Sequence, residues 1–232
     1  MAEVRHDLMH MIEFGNTDVS RSALRLLRAV KNRFGAAGEM GLFEMADTGL
    51  VEVPDASARL LAERAIGTPG TAVVATLEGT RPMLAEVQAL VGPAGGATPA
   101  RTCVGVDRNR VLMLTAVLGK AGVDLHDRDV FVNAAGGIRL EEPAADLSML
   151  AALASSLHDH PVNPHTLVLG EVGLVGEVRA VSHPALRLKE AARHGFKRVI
   201  APPATAQHAP PGVQVHPVRT VREALRELGS AI

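Results

Sequence analysis

A chain with no tryptophan, no tyrosine and only five phenylalanines must build its interior from aliphatic side chains. Hydrophobic residues make up 47% of the 232 and aromatics 2%, so the core has to be rich in Leu, Val and Ala. That hydrophobic content, with 21% charged residues, belongs to a globular protein and excludes a disordered one. The length is ample for a buried core, as one domain or two small ones. Twenty-four basic residues against 25 acidic ones leave a net charge of -1. A free-standing nucleic-acid binder usually carries a basic excess, so any DNA role needs a local patch. The single cysteine, Cys103, forms neither an internal disulfide nor a thiolate zinc site and reads as a small buried apolar residue. No apolar run reaches membrane-spanning length, and Met1-Ala2-Glu3-Val4-Arg5-His6 lacks a signal-peptide pattern, so a soluble, cytoplasmic protein without a membrane partner is expected.

The pattern changes near Pro54. Before it, Leu8–Gly15 reads as a strand, Asn16–Ser20 as a turn, and Ser20–Lys31 as a helix capped by Asp18 or Ser20, with Leu24, Leu27 and Val30 on one face and Arg21, Arg25 and Arg28 on another. Met40–Met45 reads as a strand. Two strands and a helix bury no core alone. After Pro54, Thr71–Leu77 and Met83–Val91 are strands joined through Glu78-Gly79-Thr80-Arg81-Pro82, which has hairpin chemistry. Gly92–Ala100 is a loop, Asp107 caps a helix to Lys120, and Asp129–Ala134 is a strand. Pro143 opens a helix carrying Leu147, Leu150, Ala151, Ala154 and Leu157. Thr166–Leu169 and Gly176–Val181 flank a glycine-rich turn; a helix over Pro184–His194, strands at Arg198–Ala201 and Val213–Val215, and a helix over Val218–Leu228 complete the chain. Helices and hairpins in this order predict an α+β fold.

Lys31-Asn32-Arg33-Phe34-Gly35, followed by Gly41-Leu42-Phe43-Glu44-Met45, resembles the K-N-R-F-G motif of the RadA (Sms) family of bacterial RecA-like recombination ATPases. The resemblance continues through Gly105-Val106-Asp107-Arg108-Asn109-Arg110, Asp129-Val130-Phe131-Val132-Asn133, Gly136-Gly137-Ile138-Arg139 and Glu142-Pro143-Ala144-Ala145-Asp146-Leu147. It extends over Gly170–Arg179 and Arg187-Leu188-Lys189-Glu190-Ala191-Ala192. It implies two parts: residues 1–53 as the last strands and helix of a RecA-like ATPase domain, and residues 54–232 as a Lon-protease-like domain. The sequence holds no phosphate-binding loop motif and no cysteine zinc finger; the glycines at 170, 173 and 176 lack a following Lys-Ser/Thr. ATP and magnesium are therefore expected only with an ATPase core, and the chain should not hydrolyse ATP alone. The family resemblance implies a role in DNA repair, recombination and branch migration. It also implies self-association, with a hexameric ring as the family form, contact with single-stranded or branched DNA, and the recombinase RecA as a partner.

The same resemblance sets the site expectations. A Lon-type protease uses a serine at a helix start and a desolvated neutral lysine. Those positions fall on Ala145 and at or near Ala185, which supply neither nucleophile nor base, so proteolysis is not expected. A displaced dyad of Ser148 and Lys189 would stand about one helical turn, roughly 5 Å, out of place. The resemblance puts Lys31, Asn32, Arg33, Phe34 and Gly35 at a subunit interface, where a cation presented to a neighbour's triphosphate would stabilise transition-state charge. Two basic patches are candidate DNA contacts: Arg21, Arg25 and Arg28, and then Arg187, Lys189, Arg193, Lys197 and Arg198. An assembly domain without DNA affinity is the competing expectation. Glu141, Glu142 and Asp146 read as acidic residues favouring the start of the Pro143 helix. The loop His158-Asp159-His160-Pro161-Val162-Asn163-Pro164-His165 reads as solvated surface, with no metal expected.

Overall fold

The computed structural model describes residues 12–14, 24–29 and 40–229. Along the chain the elements are β1 (Ile12–Phe14), β2 (Leu24–Ala29), β3 (Met40–Ala46), β4 (Gly49–Glu52), α1 (Ala56–Leu61), β5 (Thr71–Glu78), β6 (Arg81–Pro93), β7 (Arg101–Val104), α2 (Arg108–Lys120) and β8 (Arg128–Ala134). A 3-10 turn over Pro143–Ala145 leads into α3 (Asp146–His158). There follow β9 (Thr166–Val168), β10 (Glu171–Val172), β11 (Val178–Arg179), α4 (Pro184–Arg193), β12 (Arg198–Ala201), β13 (Gln214–Pro217) and α5 (Val221–Glu227).

The first four strands form an antiparallel sheet in chain order. The helix expected over Ser20–Lys31 is here the strand β2, paired with β1 from Ile12↔Ala29 to Phe14↔Leu27 and with β3 from Leu24↔Glu44 to Arg28↔Met40. Leu24-Arg25-Leu26 satisfies a period of two as well as a helical one, and so short a run cannot separate the two by periodicity. Pairing on both sides then decides, because ladder hydrogen bonds satisfy backbone donors and acceptors of the strand.

The main sheet has seven strands in the order β13-β12-β9-β5-β6-β8-β7. Four of its six neighbour pairs are parallel (β13–β12, β12–β9, β9–β5 and β8–β7), and only β5–β6 and β6–β8 run antiparallel. The protein is thus a mixed α/β structure with a mostly parallel central sheet, more parallel than the hairpin signals alone suggested. The β5–β6 hairpin forms as expected: Glu78 opposes Arg81 across a two-residue turn, and Gly79 at φ 61° supplies the positive φ that such a turn needs at its first position. The strand β7 and the helix α1 lie in stretches that carried no element signal.

At the centre, α3 packs on β5 and β6 and touches α2 and α5. Every residue from Asp146 to Ser155 is buried, so the helix is covered all round rather than on one stripe. The alanines at 144, 145, 151, 152 and 154 let the backbone approach the sheet closely, while Leu147, Leu150 and Leu153 fill the space between. Two serines of the last turn bind the sheet directly: the Ser155 hydroxyl accepts from the Gly70 N–H at 2.9 Å and the Ser156 hydroxyl from the Val91 N–H at 2.9 Å. Asp107 caps α2 as expected, accepting from the Arg110 N–H at 2.7 Å. No helix among the described residues is long and apolar enough to cross a membrane.

Leu153 is fully buried on α3. Leu153→Ala should lower unfolding free energy by about 2–5 kcal/mol through the cavity it leaves; urea denaturation should show a lower midpoint with an unchanged slope.

Candidate functional site

The loop and 3-10 turn ahead of α3 converge with α4 on a pair of buried charges. Arg187, in the first half of α4, is fully buried. Its Nη1 and Nη2 donate to Glu142 Oε1 and Oε2, both at 2.6 Å, in a bidentate fork. Nη1 also donates to the Ala75 carbonyl of β5 at 2.6 Å and Nε to the Ser182 carbonyl at 2.8 Å. The Leu77 N–H donates to Glu142 Oε1 at 2.8 Å. Burial on its own would raise the Glu142 pKa. The hydrogen bonds and charge of Arg187, helped by Thr76 and the Leu77 N–H, outweigh it and hold the carboxyl below its ordinary range.

One turn later, Asp146 is equally buried and takes Arg110 Nε at 2.8 Å on Oδ1. Its Oδ2 accepts from Arg110 Nη2 and, at 3.0 Å, from the Val172 N–H of β10. The hydrogen bond to Asp146 pushes the Arg110 guanidinium up, so this charge is permanent. Glu142 and Asp146 therefore do more than favour a helix start: each bolts a neighbouring element to it. Glu141 is exposed and only loosely paired, 3.9 Å from Arg139.

Ala145 lies fully buried between these two ion pairs, at the entry to α3. Ala185 stands exposed in the first turn of α4. Neither side chain carries a reactive atom. The Ser148 hydroxyl is buried and donates to the Ala145 carbonyl at 2.7 Å, while Lys189 points outward from α4 as an exposed residue. A serine sealed in the core is unavailable to substrate. The Cys103 thiol is also a poor nucleophile, pushed up by burial.

The structure corrects the second basic patch. Arg187, expected as a DNA contact, is an internal cation with no exposed surface. Arg193 is exposed but held by Glu190 at 2.9 Å and Asp55 at 3.1 Å. Arg198 is held by Glu227 Oε2 at 2.7 Å and the Glu227 carbonyl at 2.9 Å. Lys189 and Lys197 remain as exposed charges with no carboxylate partner among the described residues. In the first patch, Arg25 and Arg28 belong to the strand β2 rather than to a helix face. Arg21 and the run Lys31, Asn32, Arg33, Phe34 and Gly35 lie outside the described residues.

Among the described residues one trio of metal-capable donors comes together, at Asp55, Glu190 and His194 rather than in the histidine loop. Arg193 already spans both of its carboxylates, and the Ser57 hydroxyl donates to Glu190 at 2.5 Å. The trio serves to anchor α1 on α4.

On the opposite side of α3, a groove of about 530 Å³ runs between the end of α2 and the start of α5. The β10–β11 hairpin closes one end, where the Val221 N–H donates to the Gly176 carbonyl at 2.9 Å and the Val178 N–H to the Arg219 carbonyl at 2.8 Å. Lys120, Arg222 and Arg226 line it. Lys120 lies 102 positions before Arg222, so no single sequence window shows the three together.

Fold and site together define a mixed α/β domain whose central helix is fixed by buried ion pairs and whose helix starts carry no catalytic pair. Residues 99–205 match the family described as subunit ChlI of Mg-chelatase. The chain is 49% identical over 205 residues to DNA repair protein RadA of Bacillus subtilis (strain 168), covering 87% of this chain and 45% of that protein. It is 51% identical over 211 residues to DNA repair protein RadA of Pseudomonas aeruginosa, covering 90% and 47%. Against DNA repair protein RadA of Streptococcus pneumoniae it is 46% identical over 207 residues, covering 88% and 49%. The chain spans about half the length of these relatives.

Removing one member of the Arg187–Glu142 pair leaves the other without its opposite charge in a largely buried site. Arg187→Met should therefore cost about 3–5 kcal/mol, and the double change Arg187→Met with Glu142→Leu should recover most of it, as read by denaturant midpoints. Because Glu142 is depressed in the folded state, its contribution is complete above the ordinary glutamate value of about 4.3 and is lost as the pH falls through the lower folded one. A Glu142→Gln protein should consequently show a flatter acid limb of stability below about pH 4.3, measured by urea unfolding across pH.

Proposed function

We propose that this chain is the non-proteolytic, DNA-contacting scaffold portion of a RadA-like DNA repair and recombination factor. The observation that carries the reading is the level and extent of its identity to proteins named DNA repair protein RadA, 49% over 87% of the chain in one case. Within it, residues 54–232 are a Lon-like domain and residues 1–53 the end of a RecA-like one. A separate four-stranded sheet ending at Glu52, ahead of the seven-stranded one, supports that division. The alanines at 145 and 185 support the absence of proteolysis, since a dyad mechanism needs a hydroxyl and an amine at those helix starts.

Branch migration, ring assembly, a RecA partner and nucleotide chemistry belong to the whole RadA-like protein in this reading. The run Lys31–Gly35 then acts at a subunit interface, towards a neighbour's nucleotide. The described part contributes a rigid scaffold with local basic surface. DNA contact is through phosphates, because a chain of net charge -1 attracts DNA only where cations are locally unopposed.

Fluorescence anisotropy of labelled single-stranded DNA, titrated with the chain at several salt concentrations, tests this. Binding that weakens steeply with salt is expected, together with no cleavage of casein. Casein cleavage abolished by Ser148→Ala, or no DNA binding even at low salt, would overturn the reading.

A further inference from the structure

We propose that the groove between α2 and α5 holds the phosphodiester backbone of a nucleic-acid strand, with Lys120, Arg222 and Arg226 as its phosphate contacts and Arg219 at its rim. This rests on the DNA-contacting reading above and gives that contact a place in the fold.

Charge accounting and clustering together point to the groove. Eight arginines of the described residues are ion-paired to a carboxylate within 4.0 Å. Lys120, Arg219, Arg222 and Arg226 have no such partner among the described residues, although all four are exposed. Glu223 is the one carboxylate lining the groove, and its Oε2 accepts from the Arg219 N–H at 2.7 Å while its own N–H donates to the Thr220 hydroxyl at 3.2 Å. It completes the start of α5 instead of neutralising an arginine.

One of the cations is also held in place. Arg222 Nη2 donates to the Lys120 carbonyl at 3.1 Å, which ties α5 across the groove to the end of α2. Arg226 follows Arg222 by four residues and so shares its helix face. Unpaired cations on a fixed wall cost no ion pair to engage, whereas Arg193 or Arg198 would first have to break one.

The character of the wall narrows the ligand. Its apolar part is aliphatic, from Val117, Ala121 and Val175, and the whole chain has neither Trp nor Tyr. Stacking platforms for bases are therefore missing from the groove, and what remains is charge aimed at phosphates. Recognition by it is sequence-independent. The neighbouring Leu174 and Val175, 66% and 85% exposed at the hairpin tip, offer apolar contact to sugars and base faces at its mouth.

The test compares the full chain with Arg222→Ala/Arg226→Ala and with Lys189→Ala/Lys197→Ala by anisotropy of labelled oligothymidine over a salt series. Urea midpoints confirm that these exposed changes leave the fold intact. The groove variant should bind more weakly and lose about 1.4 from the slope of log K against log salt, at about 0.7 per single-strand phosphate contact. The Lys189/Lys197 variant should keep the wild-type slope. A groove variant with wild-type affinity and slope overturns the groove assignment while leaving DNA contact standing. Failure of the unmodified chain to bind at low salt overturns the DNA reading itself. Capture of a labelled polyglutamate peptide by the groove, with no oligothymidine binding, would assign it to an acidic protein partner instead.

Discussion

A single guanidinium organises the region on which the rest of this protein leans. Arg187 reaches from α4 to β5, to the turn before its own helix and to the half-buried carboxylate ahead of α3, and its own guanidinium has no exposed surface. A buried ion pair contributes little net stability compared with well-packed apolar groups, because desolvation consumes most of the Coulombic gain. Its effect is on geometry. An arginine fork has one orientation that satisfies both carboxylate oxygens, so α4, β5 and the entry to α3 have one relative placement. The Arg110–Asp146 pair does the same for α2 and β10.

These two bolts stand on either side of Ala145 in the chain, at the entry to α3. The helix start is a structural joint, at which the neighbouring polar atoms serve packing and orientation. The Ser148 hydroxyl is folded back on the Ala145 carbonyl.

Much of the fold was legible in local sequence. The β5–β6 hairpin, the Asp107-capped helix, the Pro143-led central helix and the last helix all stand where turn residues, caps and apolar periodicity placed them. Those signals report on interactions within a few residues of one another. The first quarter was misread at β2, where Leu24-Arg25-Leu26-Leu27-Arg28 fits two periods and the choice was made by strands paired on both sides. The seven-stranded order, with β9 between β5 and β12, was not visible either, because parallel pairing joins segments separated by long crossovers.

The site divides along the same line. The sequence by itself determined that Ala145 and Ala185 supply neither nucleophile nor base, and that a single cysteine forms no internal disulfide. It also determined an aliphatic core, since no other apolar side chains were available in number. Only the tertiary structure decided which of the basic residues are free. Arg187 looked like surface and is core, Arg193 is paired with Glu190 of its own helix and with Asp55, Arg198 is paired with Glu227, and Lys120, Arg222 and Arg226 meet across a groove. A side chain's charge is written in the sequence. Its availability depends on partners and dielectric a few ångströms away in space, and those are set by long-range packing.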